Sequence, residues 1–339
     1  MSDISVRVDG VAGRITLTRP KALNALTYDM AMAIERALDD WADDDAVRLV
    51  VLEGDCEKAF CAGGDVAELY RRGRAGDYEY ARTFWRDEYR MNAKVAEYRK
   101  PVVSFLHGFV MGGGVGIGCH VAHRVVCESS QIAMPECAIG LVPDVGGSLL
   151  LSRAPGRLGE YLGVTGHRMD AGDAVHCGFA DVFVPEAGWD ALKAELCESG
   201  DADAVARAAV EPPASALARA EWIGECFDGD LAKVIACVRE EEAVKAVRKG
   251  SPLSMACTLE LVRRLRAMDA QIGPALEMEF RFTARSMEHG DFLEGVRAAL
   301  IDKDRSPVWR HRPEEVTEAE VTAMLAPLGE ERLKWEDWA

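Results

Sequence analysis

The sequence predicts an α/β protein in two parts, a core of alternating strands and helices over residues 1–190 and a helical region over residues 191–339. In the first part, short runs with the two-residue period of strands are interleaved with runs of helical period. From about residue 189 the chain is rich in Ala, Leu, Glu and Arg, and Pro and Gly interrupt it at intervals. Such a pattern is typical of helices joined by loops.

The first elements of the core follow from local periodicity. Residues 5–8 and 14–18 alternate apolar and polar side chains around Gly10 and Gly13, which predicts a β-hairpin. Residues 27–41 place apolar side chains about one helical turn apart, which predicts an amphipathic helix. The hairpin and the helix together open the predicted α/β core.

The rest of the core is predicted in the same way. Residues 48–52 predict a strand, and residues 78–98 predict a long amphipathic helix. Pro101 precedes the run VVSFL, whose continuous hydrophobicity indicates a strand covered on both faces of a sheet. Residues 123–128 and 180–184 predict two more short strands.

Composition narrows the class of protein. Hydrophobic residues make up 49% of the chain and charged residues 29%, as in ordinary soluble globular proteins. A net charge of −17 argues against nucleic acid or an anionic membrane surface as a partner. The N-terminus lacks the pattern of a signal peptide, and the apolar stretch 102–126 is broken by His and Gly, so it does not predict a membrane span. We therefore predict a soluble cytoplasmic protein.

Ten cysteines are present, without a C-x-x-C pair. Several lie in apolar, helix-like stretches, among them Cys119, Cys237 and Cys257. This distribution predicts reduced core cysteines, with neither a disulfide framework nor a zinc site. The sequence also has no H-E-x-x-H motif, so we predict no metal.

Two carboxylates occupy an apolar, Gly- and Pro-rich segment, MPECAIGLVPDVGGS, at residues 134–148. They are Glu136 and Asp144. Because the prolines and glycines prevent one continuous helix, both acids are expected on turns or loop ends, where catalytic acids commonly lie. The alternative is a buried turn whose carboxylates cap nearby helices.

Two glycine-containing segments predict backbone N–H donors. HGFVMGGGVGIG, at residues 107–118, matches neither G-x-G-x-x-G nor a Walker A loop, so it does not predict phosphate binding of those kinds. It can aim an N–H group at an oxyanion, or it can only allow tight strand–helix packing. FCAGGDV, at residues 60–66, predicts a second strand-to-helix turn, with Asp65 at the start of the helix. His107, by contrast, is more typical of a hydrogen-bonded core residue.

Taken together, these segments resemble the crotonase (enoyl-CoA hydratase/isomerase) superfamily, and more closely its 3-hydroxyisobutyryl-CoA hydrolase branch. The resemblance runs from about residue 6 to residue 309. The superfamily-wide motifs are Asn24-Ala25-Leu26, AFCAGGDV and MGGGVG. The more specific ones are MPECAIGLVPDVGG, the SPLS stretch at 251–254 and DFLEGVRAALIDKDRSPVW at 291–309. This resemblance implies a core of repeated ββα units in a spiral, followed by a helical region that packs on the core or on a neighbouring subunit.

The resemblance also implies a site. The oxyanion-hole N–H groups of the superfamily fall on Gly64 and Gly113, where they would hold the thioester carbonyl of an acyl-CoA. The acids of the branch fall on Glu136 and Asp144, and a further substrate-binding glutamate falls on Glu88. The implied activity is hydrolysis of 3-hydroxyisobutyryl-CoA, a step of valine catabolism, with no cofactor besides the CoA of the substrate. Glu136 is either the nucleophile or the base that activates water.

Two other functions stay open from the sequence. An enoyl-CoA hydratase or isomerase is one, although the first catalytic glutamate of hydratases falls on Gly116, and its loss argues against hydration. A catalytically silent acyl-CoA-binding protein is the other, and the presence of both Glu136 and Asp144 argues against it. The resemblance further implies a homo-oligomer, a trimer or a hexamer.

Overall fold

The computed structural model describes residues 3–338, and contacts between residues divide this chain into two units. The first unit contains the residues up to Gly64, together with Arg90–Ala133 and Arg168–Arg219. The second contains Asp65–Tyr89, Met134–His167 and the residues from Ala220 onward. The predicted division at residue 190, between an α/β core and a helical region, stays a prediction.

All named strands lie in the first unit. One sheet has six strands in the order β1-β2-β3-β5-β7-β9, of which only β1 and β2 pair antiparallel. Its strands are β1 (Ile4–Asp9), β2 (Ala12–Leu17), β3 (Leu49–Gly54), β5 (Val102–Leu106), β7 (His123–Val126) and β9 (Val182–Phe183). The predicted hairpin and the four later strands predicted for this sheet are confirmed.

A second, parallel sheet contains three short strands in the order β4-β6-β8. They are β4 (Ala59–Cys61), β6 (Phe109–Met111) and β8 (Gln131–Ala133). The two predicted glycine-containing turns follow β4 and β6. Because parallel neighbours end at the same edge of a sheet, the two turns lie side by side.

Helices cover the six-stranded sheet of the first unit. They are α1 (Tyr28–Ala42), α4 (Gly113–Gly118), α7 (Ala171–His176), α8 (Trp189–Ser199) and α9 (Ala204–Ala208). Trp189 and Leu196 of α8 belong to one buried cluster with Val103 and Phe105 of β5. Both faces of β5 are buried, as its continuous hydrophobicity predicts.

The second unit is helical. Its helices are α2 (Val66–Arg74), α5 (Gly147–Arg153), α6 (Leu158–Thr165), α10 (Glu221–Cys226), α11 (Leu231–Cys237), α12 (Glu241–Lys249), α13 (Pro252–Met268), α14 (Ile272–Ser286), α15 (Phe292–Val296) and α16 (Glu318–Met324). The long predicted helix is α3 (Tyr78–Ala96), whose residues up to Tyr89 group with this unit and whose later residues group with the first. Within the described chain, every element after β9 is helical, as the composition predicts.

The prediction that all cysteines are reduced is wrong at one pair. Cys226 at the end of α10 and Cys237 at the end of α11 form a disulfide, with their Cα atoms 5.2 Å apart. The two residues end consecutive short helices, and a spacing of eleven residues gives no sign of this pairing in the sequence. Cys119 and Cys257 are free and buried, as predicted.

Among residues 3–338, no helix is both long and apolar enough to span a membrane.

Candidate functional site

Glu136 and Asp144 both lie on turns of the second unit. Glu136 begins a 3-10 turn, Glu136–Ile139, and Asp144 lies in the turn that leads into α5. Their side chains are buried, at 6% and 5% exposure. Neither side chain is the N-cap of its element. The turn prediction is confirmed, and the helix-capping alternative has no support.

Asp144 is held by a hydrogen bond from a tyrosine. The Tyr89 hydroxyl donates to Oδ2 of Asp144 over 2.8 Å and lies 3.4 Å from Oγ1 of Thr283. All three side chains are buried. Burial raises the pKa of Asp144 to about 7, although the Tyr89 hydrogen bond favours the carboxylate. Asp144 can therefore exchange a proton near neutral pH.

Glu88 and Glu136 share this acidic environment. Burial is the larger cause of a raised pKa at both residues, and the negative charge of Asp144 is the second. Together they raise the pKa of Glu88 to about 8 and the pKa of Glu136 well above its usual range. Oε2 of Glu136 is buried, and no hydrogen-bond partner for it exists among the described residues. The structure thus brings together the three acids predicted from the sequence, Glu88, Glu136 and Asp144.

This burial predicts a pH-dependent stability. Because the pKa of Glu88 is raised in the folded state, the unfolded chain releases its proton first, and the free energy of unfolding falls as pH rises from about 4.5 to 8. Glu88→Gln removes this ionisation. We expect its melting temperature to exceed that of the wild type by about 2–4 °C at pH 8 and to match it near pH 4.5. Calorimetry at both pH values checks this, and an equal shift at both would contradict it.

The C-terminal motifs support the turn that carries Glu136. The N–H group of Ser251 donates to the carbonyl of Cys137 over 2.9 Å. The Ser251 hydroxyl donates to Oδ2 of Asp291 over 2.7 Å. A Cβ atom on Gly140, where φ is +75°, would lie 2.5 Å from the backbone of Asp291. A Cβ atom on Gly295 would lie 2.3 Å from the backbone of Ile139. The SPLS and DFLEG sequences are therefore part of the architecture around Glu136.

The turn after Asp144 adopts a strained conformation. Val145 has φ +54° and Gly146 has φ +81°, and the N–H group of Gly147 donates to the carbonyl of Asp144 over 2.7 Å. Positive φ at a β-branched residue is rare and costs on the order of 1–3 kcal/mol. The surrounding structure must offset this cost. Glu279 supplies contacts that do so: its carboxylate accepts the N–H groups of Gly146 and Ser148 over 2.9 and 3.1 Å.

Sequence reasoning missed Tyr89 and Glu279. Tyr89 lies one helical turn after Trp85 on the buried face of α3, so its place in the sequence fits a core role. Glu279 had a detectable signal, because it stands one turn from both Ala275 and Thr283 on the buried face of α14. A lone carboxylate on such a face needs hydrogen-bond donors from elsewhere in the fold.

The two predicted oxyanion donors lie in the first unit, on the adjacent turns that follow β4 and β6. Gly64 follows β4 by three residues, and Gly113 is the first residue of α4. The start of α4 contacts the end of β4 closely, since a Cβ atom on Gly114 would lie 2.3 Å from the carbonyl oxygen of Cys61. Within the described chain, the N–H groups of Gly64 and Gly113 have no backbone acceptor. Both are thus available as donors.

Two further predictions, on Asp65 and His107, are confirmed. Asp65 is the N-cap of α2 and accepts the N–H group of Ala67 over 3.3 Å. Nε2 of the buried His107 lies 2.6 Å from the carbonyl oxygen of Cys56, so this histidine is a hydrogen-bonded core residue. Gly116 is a buried residue of α4, and its match to the first catalytic glutamate of hydratases stays a prediction.

Two solved structures resemble the whole chain. A protein of Rhodobacter sphaeroides, named an enoyl-CoA hydratase, is 52% identical with a TM-score of 0.93, and the match covers 98% of this chain and 100% of that one. A protein of Mycobacterium thermoresistibile, named a carnitinyl-CoA dehydratase, is 42% identical with a TM-score of 0.92, and the match covers 99% of each chain.

Curated relatives carry a different name. The 3-hydroxyisobutyryl-CoA hydrolase 1 of Arabidopsis thaliana is 39% identical, over 88% of this chain and 84% of its own length. The mitochondrial 3-hydroxyisobutyryl-CoA hydrolase of Gallus gallus is 35% identical, over 98% of this chain and 91% of its own.

The family model described as enoyl-CoA hydratase/isomerase matches residues 12–325, which is most of the chain. This match and the two solved structures confirm the predicted crotonase fold. The chain belongs to the enoyl-CoA hydratase/isomerase family.

Proposed function

We propose that this protein hydrolyses 3-hydroxyisobutyryl-CoA to 3-hydroxyisobutyrate and free CoA, a step of valine catabolism. The observation that carries the proposal is the buried cluster of Glu88, Glu136 and Asp144, in which one oxygen of Glu136 has no partner in the described chain. The names of the curated relatives support the same substrate. The reaction consumes one water and transfers its elements to the acyl group and to the thiol.

The acids supply the proton chemistry that this reaction needs. Ionised Glu136 attacks the thioester carbonyl or removes a proton from the attacking water. Asp144 holds the hydroxyl of the substrate or returns a proton to the leaving thiolate, and a pKa near 7 suits the second role. Glu88 contacts the substrate in this proposal. The family resemblance assigns the thioester oxygen to the N–H groups of Gly64 and Gly113. One such donor lowers the activation free energy by about 3 kcal/mol.

Hydration of an enoyl-CoA is the second candidate. It is favoured by the name of the Rhodobacter sphaeroides protein, which is 52% identical. Gly116 argues against it. The resemblance implies that a hydratase uses two glutamates around the added water, and the first of them would fall on this position. Asp144 provides a carboxylate near Glu136 instead, and Glu88 lies near Asp144, but neither comes from the helix that contains Gly116. We therefore rank hydrolysis first.

Activity assays separate the two candidates. Release of free thiol from 3-hydroxyisobutyryl-CoA is measured beside the loss of crotonyl-CoA absorbance, with the same preparation. We expect rapid thiol release and little hydration. Because we also propose that the protein uses no metal or organic cofactor, dialysis against a chelator should leave the rate unchanged. Rapid hydration without thiol release would reject the hydrolase.

Gly64→Ala tests the oxyanion donor. A Cβ atom on Gly64 meets no other atom within 4 Å, so the variant should fold normally. A methyl group beside the N–H would displace the thioester carbonyl, and we expect kcat to fall about 10- to 1,000-fold. Gly113→Ala should have a similar effect. Gly114→Ala is the contrasting variant, since its methyl group would clash with Cys61 and destabilise the fold. A stable Gly64→Ala protein with wild-type turnover would show that this N–H is not in the hole.

Location and assembly are also proposals. We propose that the enzyme acts in the cytoplasm, and that it forms a trimer or a hexamer, as the family resemblance implies. The eight free, buried cysteines suit a reducing compartment, whereas the Cys226–Cys237 disulfide does not, and the Gallus gallus relative is named mitochondrial. Cell fractionation tests the first point, and light scattering of the purified protein tests the second.

A further inference from the structure

Glu279 is a fully buried carboxylate of α14 that contacts neither Glu136 nor Asp144 by a hydrogen bond. Its Oε2 accepts the N–H of Gly146 over 2.9 Å, and its Oε1 accepts the N–H of Ser148 over 3.1 Å. The Ser148 hydroxyl also donates to Oε1. Three donors from one turn thus converge on a single side chain of a distant helix.

The donors belong to the strained turn that presents Asp144. Gly146 is the second of two consecutive residues with positive φ, and Ser148 lies in the first turn of α5. A turn with positive φ at both central positions normally contains Asn, Asp or Gly, whereas this one begins with Val145. Its conformation therefore depends on contacts outside the turn. The carboxylate of Glu279 bonds the turn on both sides of Gly147 and fixes the direction in which it leaves Asp144.

We propose that Glu279 is a positioning residue for the reaction: it holds the 144–148 turn so that the Asp144 carboxylate stays on the Tyr89 hydroxyl and beside Glu136. The inference rests on the proposed function of Asp144. Glu279 itself touches no substrate in this proposal. Its effect passes through the backbone of Gly146 and Ser148, and through its charge.

The charge of Glu279 gives a signature that a purely structural residue lacks. The titratable groups that it influences are Asp144 and Glu136 on the two turns and Tyr89 on α3. Burial raises the pKa of Glu279 to about 8, against the opposing effect of its three donors. When Glu279 is ionised, its negative charge raises the pKa of Glu136. Because Glu279 carries this charge only above about pH 8, removing it should change the pH–rate profile above that pH and leave the profile below it unshifted.

The experiment compares three variants of the full-length protein. Glu279→Gln keeps the shape but places an amide N–H against a backbone N–H, and it removes the charge. Glu279→Asp keeps the charge but is too short to reach both donors. Glu277→Gln is the matched control on the same helix. The Glu277 carboxylate accepts a hydrogen bond from Nε of Arg281 over 3.1 Å, and Arg281 is outside the 144–148 turn. Thiol release from 3-hydroxyisobutyryl-CoA is measured from pH 5 to 9, with melting temperatures in parallel.

We expect Glu279→Gln to lower kcat about 10-fold or more with little change in KM, and to alter the pH–rate profile only above about pH 8, where Glu279 is ionised. Glu279→Asp should lower kcat with a profile of wild-type shape, and Glu277→Gln should change neither kcat nor the profile. Wild-type kcat in either Glu279 variant, or a loss that lies in KM and not in kcat, would overturn the proposal.

Two safeguards keep the result interpretable. If Glu279→Gln does not fold, Ser148→Ala removes only the hydroxyl donor. It should lower kcat about two- to fivefold, and unchanged kcat would overturn the proposal. Wild-type thiol release tests the proposed function independently, because the Glu279 inference depends only on ratios between each variant and the wild type.

Discussion

Glu136→Gln should lower kcat for thiol release at least ~100-fold. Glutamine has nearly the same size, but it can neither attack the thioester nor accept a proton from water. Both routes need the ionised carboxylate, and Oε2, which has no hydrogen-bond partner among residues 3–338, is the oxygen that would act. Steady-state kinetics on 3-hydroxyisobutyryl-CoA at pH 8 give the comparison.

Stability separates this loss from a folding defect. Glu136 is a buried acid whose pKa is raised, so removing its ionisation should maintain or increase the melting temperature at pH 8. Low activity together with an unchanged or higher melting temperature supports a chemical role. Wild-type activity in Glu136→Gln would refute the assignment of this site.

Asp144→Asn should lower kcat on 3-hydroxyisobutyryl-CoA about 10- to 100-fold, since a hydrogen bond to a charged group contributes about 1.5–3 kcal/mol. The size of the loss on a second substrate reveals the role. Isobutyryl-CoA lacks the hydroxyl group, so an anchoring Asp144 has nothing to hold there, and the loss should be smaller.

The pair of substrates gives two distinct outcomes for Asp144. A smaller loss with isobutyryl-CoA assigns Asp144 to the substrate hydroxyl. Equal losses with both substrates would exclude that role and leave proton transfer to the leaving thiol. In the double variant with Glu136→Gln, kcat should fall by much less than the product of the two single-variant factors, because the two acids act on one reaction.

The sequence predicted the elements that depend on local pattern. Glu136 and Asp144 stood out because charged residues rarely occur in an apolar segment rich in Gly and Pro, and those same residues forced both acids onto turns. The glycine turns after β4 and β6 follow from the sequence in the same way, because glycines are unfavourable inside strands and helices and favoured in turns.

Features that depend on contacts between distant segments were not predicted. Tyr89 and Asp144 are 55 residues apart, and Glu279 and Gly146 are 133 apart, so no local period connects them. The disulfide between Cys226 and Cys237 depends on how two short helices meet. The raised pKa values of Glu88 and Glu136 also require knowledge of burial and of a neighbouring carboxylate.

The products formed from 3-hydroxyisobutyryl-CoA test the central claim most directly. A hydrolase cleaves the C–S bond of this substrate, whereas a hydratase acting in reverse removes its hydroxyl group as water and keeps the thioester. Mass spectrometry of the reaction mixture distinguishes the two products. We predict free CoA and 3-hydroxyisobutyrate in equal amounts, formed at least ~100-fold more slowly with Glu136→Gln. An unsaturated acyl-CoA as the main product, without free CoA, would contradict the account.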